Sequence, residues 1–212
     1  CKVNDKLIYY TNGLRDTSYT GLCDYDGTTY YVKDGSVDYN ANMLYEYNGS
    51  TWNIKNGKVD TTESMTMNNG SLVYTNGGKT NNETTLCKYN GTWWYVKNGK
   101  IDFSATTLCK YNGSWWYVSG GRVNFNATGL CKYNGYWFYV ENGAVIFKNT
   151  LCKYNGTWWY INNGVVNFSK TTLCKYGKNW FAVSKGKVAW NYTGYLNYNG
   201  KRYKIVKGVV KF

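Results

Sequence analysis

A motif of 21 or 22 residues recurs ten times along this 212-residue chain. Its clearest copy runs Cys87-Lys88-Tyr89-Asn90-Gly91-Thr92-Trp93-Trp94-Tyr95-Val96-Lys97-Asn98-Gly99-Lys100-Ile101-Asp102-Phe103, and near-copies begin at Cys109, Cys131, Cys152 and Cys174. A repeat this short cannot bury a core by itself, so neighbouring copies must stack into a solenoid. Taking the cysteine as position 1, the repeats start at Cys1, Cys23, Tyr45, Thr66, Cys87, Cys109, Cys131, Cys152, Cys174 and Leu196. Residues 1–86 are degenerate, 87–195 are regular, and 196–212 have the form of a C-terminal cap, so one repeat solenoid is expected over 1–212. Cys1 already lies inside a repeat, and the chain is expected to be part of a larger polypeptide.

Two turn signals divide each repeat. Asn-Gly at positions 4 and 5, as in Asn90-Gly91, Asn112-Gly113, Asn134-Gly135 and Asn155-Gly156, marks a two-residue hairpin turn, since both residues accept positive φ. Glycine then closes a second turn at position 13 in every copy, from Gly13 to Gly208. The stretch between the turns, such as Thr92–Val96, is aromatic and β-branched and reads as a strand. Helical periodicity is absent and proline does not occur, which leaves strand ladders unbroken. The predicted class is all-β, a β-solenoid of about ten tandem β-hairpins joined by loops such as Ser104–Leu108.

Strand parity separates two faces. Positions 8 and 10, for example Trp94 with Val96 and Trp159 with Ile161, stay apolar in nearly every copy and are expected to form the core. Position 7 tolerates Thr29, Thr51 and Arg202, so folding does not demand an aromatic there, yet five successive repeats carry Trp93, Trp115, Trp137, Trp158 and Trp180. Tyr95, Tyr117, Tyr139 and Tyr160 follow two residues later on the same face. Such Trp-Tyr pairs make either a ligand platform or an inter-repeat packing ladder, and the platform is the expectation.

Composition narrows the functional classes. There is no histidine, so Ser-His-Asp and Cys-His catalysis are excluded. Asp16, Asp38, Asp60 and Asp102 recur at one position, which reads as a solvated face and not a catalytic pair. No phosphate-cradling or calcium loop occurs, and neither catalysis nor a cofactor is expected. The seven cysteines are odd in number and lack Cys-x-x-Cys spacing, and Tyr45, Thr66 or Leu196 replaces them elsewhere. They read as small buried hydrophobes, with no metal site and no disulfide. The net charge is +13, with Lys2, Lys88, Lys110, Lys132, Lys153 and Lys175 recurring at position 2, a stripe able to attract a polyanion. No nucleic-acid motif accompanies the stripe, so nucleic acid is not the expected partner. No apolar run approaches the ~20 residues that cross a bilayer, and membrane insertion is not expected.

The wording Thr128-Gly129-Leu130-Cys131-Lys132-Tyr133-Asn134-Gly135, then Trp137, Tyr139-Val140, Gly143 and Val145, resembles the cell-wall/choline-binding repeat superfamily. That group includes choline-binding modules of surface proteins and phage lysins, glucan-binding repeats and receptor-binding repeats of clostridial toxins. Arrays with the Asn-Gly-x-Trp-Trp-Tyr-Val wording are similar to those in surface proteins of anaerobic gut Firmicutes. The resemblance spans essentially the whole chain. It implies a left-handed superhelix of hairpins, about three per turn, with ligand sites between consecutive hairpins. It also implies aromatic cages, whose ring faces attract quaternary ammonium. Carried over, the hairpin walls fall on Trp93 and Tyr95, Trp115 and Tyr117, Trp137 and Tyr139, and Trp158 and Tyr160. The third wall falls on Leu108, Leu130, Leu151 and Leu173, which bring no ring. Only Tyr195 is aromatic there, and its hairpin partners are Trp180 and Ala182. Two rings and an apolar flank suit a sugar ring as well as choline.

The expected function is a non-catalytic module that anchors a larger secreted or surface protein to a bacterial cell-wall glycopolymer, such as teichoic acid, or to a glucan-type polysaccharide. The alternatives are a structural spacer without glycan binding, or a toxin-like binder of host carbohydrate.

Overall fold

The computed structural model describes residues 1–212, and it contains strands, turns and loops but no helix. Each regular repeat is a three-stranded antiparallel meander; in the structure a repeat is counted from two residues before its first strand, while the position numbers keep the cysteine as 1. In repeat 7 the strands are Gly129–Tyr133, Tyr136–Glu141 and Ala144–Val145. The first turn has Asn134 at φ 47° and Gly135 at φ 83°; the second has Asn142 at φ 50° and Gly143 at φ 77°. Both are the doubly left-handed hairpin turn that Asn-Gly favours, and their twist matches that of the flanking strands. The short third strand joins neighbouring repeats. Val145 pairs with Val140 in its own hairpin, while Ala144 pairs with Trp116 of repeat 6. One further bond completes the link, from the Tyr117 amide to the Gly143 carbonyl at 2.8 Å, while within repeat 6 the Asn124 amide donates to the Tyr117 carbonyl at 2.9 Å.

The chain forms two compact units, Cys1–Phe103 and Ser104–Phe212. The first unit opens with two short ladders, Lys2–Val3 with Lys6–Leu7 and Tyr10–Thr11 with Leu14–Arg15. Four full hairpins follow, beginning at Gly21, Met43, Ser64 and Thr85. The second unit holds five hairpins, beginning at Thr107, Gly129, Thr150, Thr172 and Gly194. Within each unit the loop carrying position 16 makes an Asx turn. The Asn124 side-chain oxygen accepts from the Asn126 amide at 3.1 Å, and that of Asp60 accepts from the Thr62 amide at 3.1 Å. The recurring aspartates expected to form a solvated face are therefore turn residues, which is why asparagine replaces them freely.

Position 10 is the centre of the core, with Val118, Ile161, Val183 and Ile205 at 0% exposure. The opposite face, expected to be open, is also covered. Leu151 and Tyr160 of repeat 8 pack against Cys174, Val183 and Val188 of repeat 9. In the same way Tyr139 of repeat 7 meets Cys152, Ile161 and Val166 of repeat 8. Each hairpin thus has two buried faces, one supplied to the repeat before and one to the repeat after. Where repeat 3 has Asn53 in place of tyrosine, repeat 4 has Thr75 in place of valine, and the Asn53 amide nitrogen lies 3.4 Å from the Thr75 hydroxyl. The polar pair is buried but satisfied, so it does not carry the penalty of an unpaired group.

Candidate functional site

The stacking leaves aromatic pockets at two junctions between hairpins of the second unit. At the junction of repeats 7 and 8 the cavity is about 230 Å³, lined by Leu130, Trp137, Tyr154, Thr157, Trp159 and Phe168 among others. Trp137 comes from position 7 of one repeat, and Tyr154, Trp159 and Phe168 from positions 3, 8 and 17 of the next. The Trp137 and Tyr154 ring centroids are 5.2 Å apart, tilted by 55°; Trp159 and Phe168 are 5.2 Å apart, edge to face at 76°. The last junction repeats the plan with Leu173, Trp180, Tyr198, Tyr203 and Phe212 around about 90 Å³. Ring pairs also occur at the 8/9 junction, Trp158 with Tyr176 at 4.9 Å and Phe181 with Trp190 at 5.6 Å, and at the 6/7 junction, Trp115 with Tyr133 at 5.3 Å.

The residues expected from sequence meet different fates. Trp115, Trp137, Trp158 and Trp180 are half-buried: each packs on the next repeat and turns one side to a junction. Leu130 and Leu173 line the pockets of Trp137 and Trp180, one repeat on from the Trp115 and Trp158 sites to which the resemblance assigned them, while Leu108 and Leu151 are buried and line neither pocket. Tyr139 and Tyr160 are buried behind the pockets at 7% and 6%, so the flat Trp-Tyr platform does not form there; Tyr117 is half-exposed. Trp93 and Tyr95, half-buried, sit on the last hairpin of the first unit. Tyr195 lies outside the pocket of Trp180, with the Arg202 guanidinium 4.2 Å from its ring centroid. The rings that sequence reasoning missed are Tyr154 and Tyr198 at position 3, Phe168 and Phe212 at position 17, and Trp159 and Tyr203 at position 8, which it assigned to the core. Their signal was present: position 17 reads Phe103, Phe125, Phe147, Phe168, Trp190 and Phe212, all exposed. Five of these six rings lie edge to face on the position-8 ring of their own repeat while leaving one side to solvent.

The electrostatics of the site are one-sided. Lys132, Lys153 and Lys175 lie directly across the ladder from Trp137, Trp158 and Trp180, all three exposed. No carboxylate lines either pocket. The Lys187 ammonium lies 4.9 Å from the Trp159 ring centroid, an internal case of a cation held by these rings. All seven cysteines are free, and five are buried. No group of three or more His, Cys, Asp or Glu side chains is placed to hold a metal. No helix is long and apolar enough to cross a membrane.

A family profile described as a choline-binding repeat matches residues 18–38, 44–60, 82–102, 104–124, 126–146, 147–167 and 169–189, more than half of the chain. No curated protein matches. Among solved structures, CbpJ of Streptococcus pneumoniae is similar at 15% identity over 100% of this chain and 93% of its own, with a TM-score of 0.33. Choline binding protein F of Streptococcus pneumoniae, solved in the presence of a peptidoglycan analogue, is similar at 20% identity over 97% and 78%, with a TM-score of 0.33. The pneumococcal cell-wall endolysin from phage Cp-1, complexed with choline, is similar at 24% over 61% and 38%, with a TM-score of 0.28.

Proposed function

The chain belongs to the choline-binding repeat family, and from that premise we propose that it is a non-catalytic module holding a larger secreted or surface protein to a choline-bearing polymer of the bacterial wall. One observation carries this reading: a four-ring pocket assembled from two consecutive repeats, seen at both the 7/8 and the 9/10 junctions. Ring faces and edges around an apolar cavity suit a quaternary ammonium, which has no hydrogen bond to lose on entering. The rings that leucine does not bring come from positions 3, 8 and 17 of the following repeat. The facing lysines sit where phosphates flanking such a group would lie, and several weak sites on one chain raise retention through effective concentration.

The exposed outer rings permit a test that spares the core. Phe147, Phe168 and Trp190 are 57%, 53% and 46% exposed, and all three are changed together to alanine. The wild-type chain is expected to stay on purified walls and choline resin and to elute with free choline. The triple variant is expected to pass through with an unchanged melting temperature. Wild-type-like retention by the variant overturns the proposal, as does retention on starch or dextran that choline does not reverse.

A further inference from the structure

The chain contains a tyrosine that shows how a second cavity is filled. In repeat 2, Tyr19 folds over Gly21, where a side chain at the glycine would meet the Tyr19 hydroxyl at 2.9 Å. The Tyr19 ring stacks on Tyr9 of repeat 1 with centroids 3.8 Å apart. Its hydroxyl donates to the Leu22 carbonyl at 2.6 Å and lies 3.2 Å from the Tyr47 hydroxyl of repeat 3. Repeat 10 uses the same device: Tyr192 stands 2.9 Å from where a side chain on Gly194 would begin, and its hydroxyl donates to the Tyr195 carbonyl at 2.8 Å. Both repeats read Tyr-Thr-Gly.

Repeat 7 reads Ala127-Thr128-Gly129. The same backbone hydrogen bond anchors the loop: the Gly143 amide donates to the Ala127 carbonyl at 2.9 Å, just as the Gly208 amide donates to the Tyr192 carbonyl at 2.8 Å. The ring, however, is missing, and a side chain added at Gly129 would meet nothing within 4 Å. Other regular repeats place Thr107, Thr150 or Thr172 at the position of Gly129. What remains in repeat 7 is a cavity of about 230 Å³ lined by Tyr117, Thr128, Leu130, Val140, Lys153 and Tyr154 among others. Tyr117 is the counterpart of Tyr9, Leu130 of Leu22 and Tyr154 of Tyr47. At the next junction Tyr139 is covered by Lys148, whose ammonium is 5.3 Å from the ring centroid, whereas Tyr117 stays half-exposed.

We propose that this cavity is a second ligand subsite, which takes a hydroxylated six-membered ring, a sugar residue of the bound polymer, in the place of the missing tyrosine. The ring stacks on Tyr117, donates a hydroxyl to the Leu130 carbonyl and meets the Tyr154 hydroxyl, while Lys153 reaches its outer oxygens. Leu130 and Tyr154 line both this cavity and the aromatic pocket, so one polymer can occupy the two in succession. The subsite rests on the wall-polymer reading only for the identity of the ring.

The test fills the cavity with the chain's own solution, Ala127→Tyr, and with Ala127→Phe, which supplies the ring without the hydroxyl. D-glucose, N-acetyl-D-glucosamine and p-cresol are titrated singly into the full chain and followed by amide spectra. At least one of the two sugars is expected to shift the Tyr117, Gly129, Leu130 and Cys131 amides of the wild type. Affinity in either variant is expected to fall by about tenfold or more, with choline-resin retention unchanged. The proposal is overturned if neither sugar moves those amides, if the variants respond like the wild type, or if p-cresol alone binds. Sugar shifts at these amides without choline-resin retention would sink the function proposed above and leave the subsite standing. A variant melting below the wild type is judged on the other, since filling a void with a ring the fold already accommodates twice is expected to raise the melting temperature.

Discussion

Gly143 shows why one residue type holds position 13 in all ten repeats. It sits at φ 77°, its carbonyl accepts from Tyr117, and a Cβ would lie 2.6 Å from the Asn124 carbonyl oxygen. Gly156, in a first turn at φ 75°, has nothing within 4 Å of that point. Gly156→Ala is therefore expected to cost only the left-handed penalty of about 1 kcal/mol, and Gly143→Ala about 2 kcal/mol more, as read by urea unfolding. The cysteines give a second prediction at this scale. Burial pushes the Cys109 and Cys174 thiols from the usual 9.0 up to about 11. The native state then holds protons that the unfolded chain releases. This stabilisation is complete below about pH 9 and declines as the pH rises towards 11. The melting temperature is expected to fall across that window, and less steeply when both residues are alanine. Exposed Cys1 is expected to react with a thiol reagent before the five buried cysteines, and all seven to react after unfolding without reductant.

At the scale of the element, the two-residue third strand does more than its length suggests. Ala144–Val145 pairs on both sides and delivers Val145, 7% exposed, into the junction with Leu108 and Val140. The loop that follows it places the position-17 ring over position 8. Phe168 and Trp159 therefore carry different loads: Phe168→Ala is expected to weaken choline retention with a stability change within about 0.5 kcal/mol. Trp159→Ala is expected to cost about 3 kcal/mol or more in unfolding experiments, because its ring is partly buried in the core. The hairpins were legible in the sequence because Asn-Gly and the position-13 glycine encode their geometry locally. The core at position 10 was legible through period-two patterning, but position 8, expected beside it, is half-buried in all ten repeats and faces the pockets through Trp159 and Tyr203. The site was only half legible, since parity within one strand says nothing of what covers its other face. Tyr139 and Tyr160 are buried by a repeat 21 or 22 residues away, and Tyr154 and Phe168 reach Trp137 only once stacking is known.

Across the whole molecule the charge and the repetition act together. The net charge of +13 is drawn partly from lysines opposite the position-7 tryptophans, so attraction to an anionic polymer extends over many copies. Changing Lys110, Lys132, Lys153 and Lys175 to glutamine is expected to weaken wall retention and flatten its salt dependence, without reducing affinity for free choline. Retention that falls equally steeply with salt in this variant would remove the lysines from recognition. The short third strand carries one last consequence, because it ties each repeat only to the one before. A duplication or deletion of one whole repeat preserves every such tie, provided that the crossover falls at equivalent positions. Unequal recombination can therefore lengthen or shorten the array in whole steps, adding or removing one junction each time. Binding strength in this lineage can be adjusted by counting, with no residue of the existing pockets altered.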